Sequence, residues 1–289
     1  MRVPWVMAGI LAVAQGFCCA HAQPPVPIDK LVREVVYNEL NDHVSHGYWR
    51  YWIESHTPKE SLLEERLETA DGPISRTELS NGHPLDAQGR QLEQASLHRL
   101  LSSPAEQARH RQENDDNEKR VGRIVALLPD AFLYEYAGEE NGCYRLRFHP
   151  NPDYQAHSIE ARIIHAMSGE LWVNAKYKRL ARLDGRLNQD VSIGFGILGR
   201  LYQGGWFSLQ RTQVSSTDWK TERFELHMNG RAILFKIITQ EISELRRGFA
   251  PVATGLDLAK GAALLYQIEP ESAQVSAASI SMERTTSHP

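Results

Sequence analysis

A few groups of residues have types and spacings that can support chemistry. Gly194-Phe-Gly196-Ile-Leu-Gly199 matches the glycine spacing of a dinucleotide-binding loop. Such a loop works between a strand and a helix, where the helix N-terminus meets the pyrophosphate. Here the following Gly204-Gly-Trp-Phe-Ser-Leu-Gln210 resumes a strand pattern, so the glycines read as a tight bend in a curved sheet. His43 and His46 share one helical turn, with His56 nearby, but a third zinc ligand at a diagnostic spacing is missing. Ser168, in Met-Ser-Gly-Glu, lacks the flanking glycines of a nucleophile elbow. Cys143 stands beside a turn glycine with no neighbouring histidine and reads as an incidental thiol. Glu139 and Glu140 are hairpin-tip charges. The expectation is a protein with no catalytic residue, no metal site and no cofactor.

What those residues sit on is a secreted chain. Arg2, the apolar run Val6–Val13 and the small residues of Ala20-His21-Ala22 form the pattern of a cleaved signal peptide over residues 1–22. Cys18 and Cys19 would leave with it, so Cys143 alone remains and no intrachain disulfide can form. No later apolar run approaches the roughly 18 residues of a membrane helix, so no transmembrane segment is expected after cleavage. A formal net charge of −4 argues against nucleic acid as a partner.

Beyond the proline-rich leader, Leu31, Val32, Val35, Val36 and Leu40 follow helical spacing, with Gly47 as a left-handed cap. Tyr48–Glu54 alternates as a strand with aromatics on both faces, and strands follow at Ser61–Thr69 and Ile74–Leu79. Residues 86–130 switch to a helical period. Gln107–Arg120 is almost wholly polar, then Val121, Ile124, Val125 and Leu128 restore an amphipathic stripe closed by Pro129. A hairpin is expected over Phe132–Phe148, turning at Gly138–Gly142. Strands at Ala161–Met167 and Leu171–Ala175 meet at Ser168-Gly169. Arg179–Leu187, Tyr202–Val214, Asp218–Met228 and Ala232–Leu245 complete the ladder, with Asn229-Gly230 as a tight turn. Asp257–Tyr266 reads as a short helix in a partly disordered tail over residues 251–289.

These strands carry more apolar surface than a flat sheet needs. Where helices cover only part of a concave face, an apolar cavity remains; a sheet filled by its own helices is the alternative. Strand parity nominates Trp49, Tyr51, Leu146, Leu183, Phe207, Leu209, Phe224, Leu226 and Phe235 as its lining.

Gly169-Glu-Leu-Trp-Val-Asn174, followed by Lys178-Arg-Leu-Ala-Arg-Leu-Asp-Gly-Arg-Leu187, resembles the LolA/LolB-like periplasmic lipoprotein-carrier superfamily. That superfamily has a small-Gly-x-hydrophobic-Trp-hydrophobic-Asp strand, here with Asn174 at the last position, and then an Arg-hydrophobic strand. Asp190–Arg200, Gly204-Gly205 and Gly230–Lys236 extend the likeness. It covers Tyr48–Ser80 and Phe132–Leu245, leaving out the 86–130 insert and the tail. The resemblance implies an α+β fold: a strongly curved antiparallel sheet forming an unclosed half-barrel, with helices over its concave face, in one domain over residues 23–250. It further implies a periplasmic, non-enzymatic carrier or binding protein for a lipid, a lipoprotein's acyl chains or another hydrophobic ligand. The alternative on the same fold is an envelope sensing module with a protein partner. The arginine that lipoprotein carriers use for release has no assigned counterpart in this chain.

Overall fold

The structure, a computed structural model, describes residues 26–41, 47–193, 199–232 and 236–266. The expected signal peptide, His43, His46, Phe235, most of the glycine-rich stretch and the chain beyond residue 266 lie outside the described residues. Among the described residues, no helix is long and apolar enough to cross a membrane.

Helix α1 (Ile28–Leu40) buries Leu31, Val32, Val35 and Val36 as one stripe and carries Asp29 in its first turn. It ends at Asn41, whose N–H bonds back to the Tyr37 carbonyl. Gly47 is not its cap: the Gly47 N–H donates to Asp218 Oδ1 at 2.9 Å and fixes the start of the next strand. Strands β1 (Tyr48–His56), β2 (Ser61–Leu67), β3 (Ile74–Ser80) and the two-residue β4 (His83–Pro84) form a meander.

The insert is helical. Asp86 caps α2 (Ala87–Ser102) by accepting the Gly89 N–H at 2.7 Å, and Ser103 caps α3 (Pro104–Ala131), which starts on a proline. α3 continues through Pro129 rather than stopping there. The missing N–H falls in its last turn, and the fully buried Ala131 holds that turn in place.

β5 (Phe132–Glu140) and β6 (Cys143–Pro150) form the expected hairpin, turning at Asn141-Gly142, where φ is 49° and 74°. The next stretch departs from expectation. Ser158 Oγ accepts the Ala161 N–H at 3.0 Å and starts a short helix, α4 (Ile159–His165), where a strand was expected. β7 (Met167–Asn174) then runs straight through Ser168-Gly169, which is no turn.

β8 (Leu180–Leu187), β9 (Val191–Ile193), β10 (Gly199–Leu201), β11 (Trp206–Gln213), β12 (Trp219–Ala232) and β13 (Lys236–Val252) follow, then α5 (Leu258–Tyr266). β12 passes through Asn229-Gly230, so that pair is not a turn either. A Cβ at Gly230 would lie 2.7 Å from the Arg200 carbonyl oxygen; the glycine lets the β10 backbone approach.

The fold is α+β: one unclosed antiparallel sheet of 13 strands, curved into an open half-barrel, with five helices among the described residues. Its main path runs β4-β3-β2-β1-β13-β12-β11-β8-β7-β6-β5, with β9 and β10 branching from β12. α1, the C-terminal half of α3 and α4 cover the concave face. There Leu31, Val32 and Val35 pack on Leu146, Phe148, Leu171, Val173 and Leu180. Each such apolar side chain is worth about 2 kcal/mol of burial before chain entropy is counted.

The ends of the path are treated differently. At β2 and β3, Leu67 and Ile74 belong to the opposite face and are covered by α5 through Leu258, Ala262 and Leu265. α2 guards the β3 edge: Glu93 accepts the Thr77 N–H at 2.6 Å, a group that would otherwise invite another strand. α3, about 42 Å long at 1.5 Å per residue, spans the opening. It leads into β5 at one end and meets the β2–β3 turn at the other, through Arg111–Asp71 (3.3 Å) and His110 against Gly72.

Candidate functional site

Under α3 the concave face is not filled. A cavity of about 500 Å³ lies between the sheet and the helices. Its floor is built by strand alternation: Leu183 on β8, Phe207 and Leu209 on β11, and Phe224, Leu226 and Met228 on β12. The register sets Leu209 opposite both Leu183 and Phe224, and Phe207 opposite Leu226, so these side chains form one continuous apolar surface.

The roof comes from helical spacing. Val121, Ile124, Val125 and Leu128 fall at i, i+3, i+4 and i+7 on α3, and Ile163 and Ile164 of α4 close one side. Phe132 and Phe148, edge to face at 4.8 Å between ring centres, form the back wall. Val121, 61% exposed, marks the mouth. The one polar side chain among the described lining residues is Gln240, on β13 directly opposite Met228.

A glycine shapes the floor. Gly185 pairs with Phe207 across the β8–β11 ladder, and a Cβ there would lie 2.4 Å from the phenyl ring. Gly169, its partner on β7, would place a Cβ 1.8 Å from the Asp184 carbonyl oxygen. Neither position tolerates a side chain without moving backbone or ring, which gives the glycine of the Gly169–Asn174 stretch a steric reason.

Of the residues nominated by parity, Leu183, Phe207, Leu209, Phe224 and Leu226 stand on the cavity wall. Leu146 is fully buried under α1 in the adjoining core. Trp49 and Tyr51 have the concave parity but are buried outside the cavity, Tyr51 with its ring 5.1 Å from Phe249. Phe235 lies outside the described residues. The roof residues of α3 and α4 were not nominated. For α3 the signal was present in the Val121–Leu128 spacing; for α4 the assumed strand concealed it.

Among the described residues, the chemistry-bearing ones are dispersed. Imidazole nitrogens of His56 meet Ser61 Oγ at 2.8 Å and Glu54 at 3.1 Å on an exposed strand end. Ser168 Oγ accepts from Asn188. Burial, reinforced by the Glu140 carboxylate, pushes the Cys143 thiol above its ordinary pKa and disfavours the reactive thiolate. Among the described residues, no three His, Cys, Asp or Glu side chains stand together as a metal site.

Beyond β12 the concave face becomes mixed, with Ile242 and Ile53 among charged residues. Glu244 lies opposite Phe224, and Arg246 opposite Ile53, which in turn faces Glu64. Glu244 and Arg246 pair at 2.7 Å, and Glu64 and Arg66 at 3.5 Å. Burial raises the Glu64 pKa above its ordinary value, partly offset by Arg66 and reinforced by Glu93, Glu244 and Glu60.

The chain matches no protein-family model and no curated protein.

Proposed function

We propose that this protein is a non-enzymatic carrier or binding protein for a lipid-like ligand, whose acyl chain occupies the cavity beneath α3. The observation that carries this reading is the cavity itself: about 500 Å³, within the range of small-molecule sites, with an apolar lining broken only by Gln240 among its described residues. Water in such a space has almost no hydrogen-bonding partner, so an apolar occupant is favoured over solvent. The half-barrel form and the resemblance to LolA/LolB-like carriers support the same reading and a periplasmic location. On this account Phe207, Leu209, Phe224 and Leu226 contact the chain, Leu183 forms the bottom, and α3 is the cover under which it enters.

Native mass spectrometry of protein isolated from its own compartment tests this. The expected spectrum contains adducts of lipid mass that organic extraction removes and added fatty acid restores. A protein that carries no adduct and takes up none on addition would overturn the reading.

A further inference from the structure

The roof and the floor of the concave face change polarity at the same margin. On α3 the apolar stripe begins at Val121, and the preceding residues, 111–120, are polar and mostly exposed. On the floor, β13 sets Gln240, Ile242 and Glu244 opposite Met228, Leu226 and Phe224, so the apolar wall thins to Ile242 there and Glu244 pairs with Arg246 beside it. Val121 and Gln240 both border the cavity, and on α3 the polar residues begin immediately before Val121. Adjacent strands are about 4.8 Å apart, so Glu244 and Arg246 on β13 lie one strand from the apolar wall, and Glu64 and Arg66 on β2 lie about 14 Å from it.

Resting on the acyl-binding role proposed above, we infer that the ligand is an amphiphile with a zwitterionic head. Its chain lies under Val121–Leu128, and its ammonium and phosphate groups lie over Glu244, Arg246, Glu64 and Arg66. The band holds two cations and two anions in internal pairs. A zwitterion can exchange with both pairs and leave no net charge behind. An anionic head would also meet Glu60 and Glu93, which add to the field at Glu64. Arg246 Nε is buried and has no hydrogen-bond partner among the described residues, a spare donor that a phosphate can engage once Arg246 swings away from Glu244.

The test compares three probes of one chain length on the delipidated protein: a lysophosphatidylethanolamine, a monoacylglycerol and a lysophosphatidic acid. Calorimetry should give the zwitterion an affinity about tenfold above the uncharged monoacylglycerol, the yield of one charge-assisted hydrogen bond. The anionic probe should show no such gain. In the Arg66→Gln, Arg246→Gln variant the advantage should vanish while monoacylglycerol binding persists. Equal affinities for all three probes in the unmodified protein, or a preference for the anion, would overturn the head-group inference and leave the cavity reading standing. Failure to bind any of the three would overturn both. The probe comparison in the unmodified protein needs no substitution, so a variant that fails to fold does not decide the matter.

Discussion

The ring of Phe207 lies against the bare backbone of Gly185, its direct partner across the β8–β11 ladder, where a Cβ would come within 2.4 Å of it. The missing side chain on one strand is what lets the aromatic of the next settle into the cavity floor. Gly185→Ala should therefore push the ring toward the cavity or distort the strand, costing about 1–3 kcal/mol as overpacking does. Urea unfolding measures that loss, and acyl-probe binding should weaken in parallel. An unchanged unfolding midpoint would mean that Phe207 has another place to go.

Glu39 ties α1 to the sheet. Its carboxylate accepts from Arg179 Nε at 3.0 Å and from the Leu180 N–H at 2.9 Å, and it also bonds Arg211. The three side chains are only 8%, 10% and 12% exposed. Removing one member of such a buried group is expensive because the others keep their desolvated charge. Glu39→Ala should destabilise the protein by about 3 kcal/mol, read by chemical denaturation. Exposed Arg33–Asp130, between α1 and α3, should cost about 0.5 kcal/mol or less on truncation.

Glu64 and Asp218 titrate in opposite senses. Burial holds Glu64 above its ordinary pKa, so the folded state binds its proton more tightly than the unfolded chain. Its charge therefore lowers stability as pH rises from the ordinary value through the raised one. Glu64→Gln should remove that loss, giving a higher melting temperature than the parent at neutral pH and none of this gain below the ordinary pKa.

At Asp218, burial works against the carboxylate, but hydrogen bonds from Ser215, the Gly47 N–H and Thr217, with Lys220 nearby, outweigh it and depress the pKa. That contribution is present above the unfolded value and is lost as pH falls through the folded one. Asp218→Asn should lower the melting temperature at neutral pH, with the deficit closing in strong acid. Thermal melts across pH check both signs.

The sheet was legible because alternation survives wherever one face is covered. Tyr144, Leu146 and Phe148 are buried as their parity required, and Phe224, Leu226 and Met228 share the cavity side. Burial alone does not make a lining residue, however. Trp49 and Tyr51 have the right parity and disappear into packing among neighbouring strands. Glycines misled in the other direction. Gly169 and Gly230 read as turn residues, but both sit inside strands to admit a backbone carbonyl. The two-turn helix α4 is too short for its period to be told from a strand, and its Ser158 cap was the better signal. The roof of the cavity depends on α3 crossing the whole opening, a relation between distant segments that local pattern does not contain.

The central claim is that an acyl chain fills the space under α3. It is tested most directly by titrating a fluorescent fatty acid into the delipidated protein and into Val125→Trp, a substitution that puts an indole into the cavity from the partly exposed α3 roof. The account predicts saturable binding to the parent at one site per chain. Affinity should be at least about tenfold weaker in the variant, with the circular dichroism spectrum and melting temperature retained. Equal affinity in two equally folded proteins would contradict it.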